Sequence, residues 1–206
     1  MTTRPILFSG PMVRAILEGR KTVTRRFVNP RMFLWEGQSE TDCEHIEQNN
    51  PRFGEKCLEL VRCPYGVAGD TLWVKEAWRP KISHCCAMDA CDCSNVNVFY
   101  REGGAGPVFF DDSSIPEEWL MPEAARGKGW VSPLIMPRWA ARILLRVTDV
   151  SVERVQSITE EDARTEGVSS REEFACLWDS LAKPGACWAD NPWVWRVGFS
   201  VEEMKR

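Results

Sequence analysis

The run ARILLRVTDVSVERV, Ala141 to Val155, constrains the fold most, because it is the longest strand-like stretch in the chain. Its aliphatic and β-branched residues suit a pleated, half-buried surface, and a bend is expected near Thr148 and Asp149. A chain built around such a strand needs partners for it. Shorter candidates are Ile6 to Phe8, the segment TVTRRFV, the alternating TLWVKEAW and the terminal NPWVWRVGF. A short strand is also possible in NVFYRE.

Helical signals separate these runs. Pro11 suits a first helical turn, where its missing N–H costs nothing; Val13, Ile16 and Leu17 follow at helical spacing, and Gly19 ends the turn. ITEEDARTEG reads as a helix capped by Thr159, with acids in its first turn and Gly167 as its stop. SSREEFACLWDSL reads as another, with Ser170 and Glu173 as a capping box and Phe174, Leu177, Trp178 and Leu181 as an apolar stripe. Residues about 30–62 and 80–130 are polar, turn-rich and read as loop-rich insertions in a single domain spanning 1–206. Five or six short strands with two or three helices predict an α+β fold, a small mixed barrel with flanking helices.

The length of 206 residues suffices for one sizeable core. No run approaches the ~18 apolar residues that span a bilayer, and the N-terminus has no signal-peptide core, so a cytoplasmic protein without a membrane partner is expected. The net charge of -4 is uneven: residues 1–31 hold seven bases against Glu18 alone, and the remainder is acidic. That split predicts a local anion site rather than a broad nucleic-acid-coating face.

The cations concentrate in GRKTVTRR, Gly19 to Arg26. The stretch fits G-x-K-x-x-(E/T)-x-R through Gly19, Lys21, Thr24 and Arg26, and so resembles the signature of the ASCH family, within the PUA-like superfamily. RPILFSGPMVRAILEGRKTVTRR, CPYGVAGDTLWVKEAW, MPRWAARILLRVTDVSVERVQSITEEDARTEGV and NPWVWRVGF resemble, in the same order, blocks of its phage and prophage branch. The resemblance implies a PUA-like β-barrel with a cleft for a nucleoside, a nucleotide or RNA. A small bacterial branch with Thr at the (E/T) position of the signature is similar to an amidohydrolase that deacetylates N4-acetylcytidine with a Lys, a Thr and a Glu. Lys21 and Thr24 match the first two, and Glu166 in DARTEGV is the nearest counterpart of the third.

Amide hydrolysis needs a nucleophile, a base and a donor to the leaving amine. Thr24 would supply a hydroxyl or position water. Lys21 would act as base once burial and the neighbouring Arg20, Arg25 and Arg26 lower its pKa. Glu166 would shuttle the proton, and Arg26 would clamp an anion. In a helix's last turn Glu166 needs a cation beside it, and Arg26 or Lys21 is the expected partner. Lys21 and Thr24 point to opposite faces of a flat strand, so their convergence requires the strand to start after Lys21. Two readings without chemistry stand beside this one: a solvated edge strand guarded by its charges, and a nucleotide site formed by Gly19, Arg20, Arg25 and Arg26. Trp130 and Trp139 flank VSPLIMPR and would line a cleft mouth or pack in the core. A non-catalytic RNA- or DNA-binding module is the rival function, and a phage adaptor that binds a host protein through the insertions is a third.

Nine cysteines, an odd number in a cytosolic chain, do not suggest a disulfide framework. SHCCAMDACDC clusters His84, Cys85, Cys86, Cys91 and Cys93. Such density could hold a structural zinc, with Cys43, His45, Cys57 or Cys63 as alternative ligands, or could be a set of free thiols. No cofactor is expected for catalysis.

Overall fold

A computed structural model describes residues 1–28, 63–83, 95–103, 106–110, 112–126 and 129–205. The strands are β1 (Thr3–Leu7), β2 (Val23–Phe27), β3 (Thr71–Lys75), β4 (Trp78–Ser83), β5 (Asn95–Tyr100), β6 (Val108–Phe110), β7 (Ile143–Arg154) and β8 (Trp193–Met204). The helices are α1 (Gly10–Leu17), α2 (Glu123–Arg126), α3 (Glu160–Thr165) and α4 (Arg171–Leu181). Backbone ladders join the strands into two sheets, ordered β1-β3-β7-β8-β2 and β4-β5-β6. The fold is therefore α+β. Among the described residues no ladder joins β1 to β2, so the larger sheet is open rather than a closed barrel. No described helix is long and apolar enough to cross a membrane.

The chain forms two compact units: one from residues 1–19, 71–146 and 200–206, the other from 20–70 and 147–199. In the first, β1 runs parallel to β3, and β3 pairs antiparallel with the start of β7. Helix α1 opens at Gly10 with Pro11 in its first turn; of the expected stripe it buries Val13 and Ile16 while Leu17 is half-buried, and Ala15 is buried beside them. The same unit holds β4, β5 and β6, an antiparallel sheet inside the region expected to be loop-rich. One face of that sheet is apolar: Trp78, Val96, Val98, Tyr100, Val108 and Phe110 are all buried. Trp139, itself half-buried, packs edge-on against Trp78, Phe110 and Trp119 at the side of this core.

A buried ion pair fixes the floor of this unit. Arg142 donates to both oxygens of Glu76 at 2.9 and 2.8 Å and lies 4.2 Å from the Tyr100 ring centroid. Burial pushes the Glu76 carboxyl up, and Arg142 opposes the shift. The Tyr100 hydroxyl, also raised by burial, donates to the Ala140 carbonyl at 2.7 Å.

In the second unit β2 pairs antiparallel with β8, from Val23 opposite Gly198 to Phe27 opposite Val194. Val155, Ile158, Ala163, Phe174 and Val194 form its core, with Val168, Trp178 and Trp188 packed against them. Helix α3 is capped as expected, Thr159 accepting from Asp162 N and Asp162 reaching back to Thr159 N. Helix α4 departs from its expected pattern. Phe174 is buried and Leu177 and Trp178 are half-buried, but Leu181 at the far end is 63% exposed. Ser170 accepts from Glu173 N, while the Glu173 carboxylate turns to Ser169 N instead of closing the box.

Candidate functional site

The site begins where α1 ends. Gly19 takes φ +72°, a left-handed turn with nothing within 4 Å of the place a Cβ would occupy. Gly19→Ala is therefore strained only in its backbone, and should cost about 1–2 kcal/mol of stability by urea unfolding. Gly19→Asn should cost less, since asparagine tolerates that region.

After this turn the chain runs past the C-terminal end of α3, whose last carbonyls lack partners within the helix. Three successive residues cap three successive carbonyls. Arg20 Nη1 donates to Gly167 O at 3.1 Å, Lys21 Nζ to Glu166 O at 2.9 Å, and Thr22 N to Thr165 O at 2.9 Å. The Thr22 carbonyl accepts from Phe199 N at 2.8 Å. Strand β2 starts only at Val23, so Lys21 lies in the turn and escapes strand alternation, as convergence with Thr24 requires.

Lys21 folds back into the protein. Its Nζ donates to Glu166 Oε2 at 2.5 Å and to Val23 O at 2.8 Å as well as to Glu166 O. Those three acceptors match the three N–H groups of an ammonium. Glu166 is the C-cap residue of α3, where the helix dipole opposes a negative charge; Lys21 offsets that dipole and caps the carbonyl together. Burial is the largest influence on Lys21 and lowers its pKa from the usual 10.5. Glu166 opposes the shift, while Arg26 and Arg25 add to it.

Arg25 is a second cation turned inward. Its side chain is fully buried, with Nε 2.6 Å from Glu153 Oε1, Nη1 3.3 Å from Glu166 Oε1 and Nη2 3.5 Å from Asp162 Oδ2. Asp162 extends the network to Arg196, 3.9 Å away, which pairs with Asp149 at 2.6 Å. Partial burial alone would raise Asp162. Hydrogen bonds from Thr159 and the charges of Arg25 and Arg196 outweigh it and hold the carboxyl below 3.8.

Thr24 is 2% exposed and sits opposite Val197 on β8. It makes no side-chain hydrogen bond to Lys21 or Glu166 among the described residues. Residues 23–25 are all buried, so β2 is covered on both faces and is not a solvated, charge-guarded edge. Arg26 is half-buried opposite Trp195, and Arg20 is exposed. Trp130 and Trp139 belong to the first unit. Glu153 and Asp162 were not singled out from sequence. Their signal was weak, because one sits in the polar half of β7 and the other already has a role as a helix cap.

The cysteine cluster Cys85, Cys86, Cys91 and Cys93 lies outside the described residues. Among the described residues no group of three or more His, Cys, Asp or Glu is placed to hold a metal.

No family model matches the chain, and no curated protein matches it. Among solved structures, the chain is similar to protein EF3133 from Enterococcus faecalis V583, described under the family model DUF984. The identity is 13% and the TM-score 0.41, over 99% of this chain and 77% of that one.

Proposed function

We propose that this chain is an ASCH protein of phage or prophage type with an open, PUA-like fold, working in the cytoplasm as an amidohydrolase on N4-acylated cytidine-type nucleosides. The carrying observation is the Lys21 Nζ to Glu166 Oε2 contact at 2.5 Å, at a buried position where desolvation lowers the lysine pKa. A lysine and a carboxylate so close can exchange a proton, and burial favours the neutral amine that a base requires.

In this mechanism Lys21 starts as the neutral amine. The Thr24 hydroxyl, or a water it positions, adds to the acyl carbon while its proton passes to Lys21 Nζ. The carbonyl electrons move to oxygen, and Arg26 offers its charge to the oxyanion. When the intermediate collapses, the bond from acyl carbon to N4 breaks, and the proton travels from Lys21 through Glu166 to the departing nitrogen. Attack by water releases the carboxylic acid and the free cytidine amine. Attack by Thr24 first leaves an ester on its hydroxyl, which water then cleaves through the same relay. Arg20 contributes an exposed positive charge for a nucleotide phosphate.

Hydrolysis of N4-acetylcytidine, followed by chromatography of the cytidine released, tests the proposal. The rate should rise with pH as Lys21 loses its proton, and level off below the usual lysine value of 10.5. A flat profile across neutral and alkaline pH contradicts the base role.

A second reading is favoured by the burial of Lys21 and Thr24, at 1% and 2% exposure, and by the match of three acceptors to the ammonium. On that reading the cluster latches α3 onto β2, and the protein is a non-catalytic RNA- or DNA-binding module. It predicts binding without turnover. A structural zinc on Cys85, Cys86, Cys91 and Cys93 is a separate proposal. Elemental analysis of protein purified without added metal tests it, and a zinc-free result ends it.

A further inference from the structure

The outer face of the β4-β5-β6 sheet carries a chemistry that the hydrolase does not use. Alternation along the strands sends Trp78, Val96, Val98, Tyr100, Val108 and Phe110 inward, and leaves Arg79, Lys81, Asn97, Phe99 and Phe109 on the other side. Register places them in two rows. Arg79 lies opposite Phe99; Lys81 lies opposite Asn97, which in turn lies opposite Phe109. The Arg79 guanidinium is 5.0 Å from the Phe99 ring centroid and 5.4 Å from that of Trp130, so it lies against two rings. Phe109 is 57% exposed and Trp130 42%.

We propose that this face binds single-stranded nucleic acid. Flat rings exposed on a sheet stack unpaired bases, and cations one row apart take up the phosphates between them. The three strands, WRPKIS, NVNVFY and VFF, contain two bases and no acid within a chain of net charge -4. The positive charge is therefore local and complementary to a phosphate backbone. Asn97 lies between Lys81 and Phe109 in the register. A duplex keeps its base faces stacked internally and cannot use Phe109 or Trp130, so a single strand is the occupant that fits. The surface lies wholly within the first compact unit and is independent of chemistry at Lys21.

The test uses the full chain and fluorescein-labelled dodecamers, one RNA and one DNA of mixed sequence, with a hairpin duplex as control, read by anisotropy over a salt series. The single strands should bind, and the duplex about tenfold more weakly or less. Phe109→Ala, at an exposed position that truncation leaves folded, should weaken single-strand binding about tenfold. The pair Arg79→Gln and Lys81→Gln should flatten the salt dependence. Deacylation of N4-acetylcytidine should be the same in Phe109→Ala as in the unsubstituted protein, so failure of either proposal is seen separately. No single-strand binding at low salt, equal binding of duplex, or an unchanged affinity in Phe109→Ala overturns the assignment. Capture of an acidic peptide in place of the oligonucleotides also overturns it.

Discussion

Lys21→Met is expected to lower the melting temperature by roughly 6–20 °C, from ~3–5 kcal/mol for breaking a buried ion pair and ~2–4 °C per kcal/mol in a chain of this length. The size of the effect comes from what is left behind. Glu166 stays buried at 3% exposure and loses its shortest contact, keeping, among the described residues, the Arg25 guanidinium at 3.3 Å as its cation. The Glu166 and Val23 carbonyls lose a donor at the same time, and the C-terminal end of α3 loses part of its cap. Removing the stranded charge as well should recover part of the loss, so Lys21→Met with Glu166→Leu should melt above Lys21→Met alone. Arg25 retains Glu153 at 2.6 Å in that double variant. Thermal unfolding followed by circular dichroism reads all of this. A Lys21→Met protein that melts like the unsubstituted one would show that the buried pair adds nothing to stability.

Thr24→Val separates chemistry from folding. Valine keeps the shape of threonine and exchanges a buried hydroxyl for a methyl beside Val197, so the melting temperature should hardly move. Hydrolysis of N4-acetylcytidine should fall ~10²–10⁴-fold, the usual worth of a positioned proton-transfer or nucleophilic group. Steady-state rates with saturating substrate give the comparison. Equal rates in Thr24→Val and the unsubstituted protein would remove threonine from the mechanism. No turnover by either would favour the binding module, with Lys21 and Glu166 as a latch.

Local signals carried much of this structure. Pro11 and Gly19 bracket α1, and Thr159 opens α3, because caps and breakers act within a few residues of themselves. One of the two partners expected for Glu166 was Lys21, since an anion at a helix C-terminus calls for a nearby cation. The other, Arg26, lies on β2 opposite Trp195, while Arg25 is the second cation on the carboxylate. Strand periodicity could not show that Arg25 turns inward. A strand buried on one face hides every second residue, whereas Val23, Thr24 and Arg25 are all buried. Of the β4-β5-β6 sheet the sequence points only to a short strand in NVFYRE, because Arg79, Lys81, Asn95 and Asn97 fill outward positions and the polar half of an alternating strand resembles a turn. Glu153 and Asp162 were invisible as partners of Arg25, since that contact depends on residues more than a hundred positions apart in the chain.

The most direct test of the proposed proton exchange is the titration of Lys21 itself, in protein labelled with ¹³C at lysine Cε and assigned by comparison with Lys21→Met. The midpoint should lie below 10.5, because burial outweighs the attraction of Glu166, and it should fall further in Glu166→Gln, where that attraction is gone. A Lys21 that titrates at or above 10.5, unmoved by Glu166→Gln, would contradict the account.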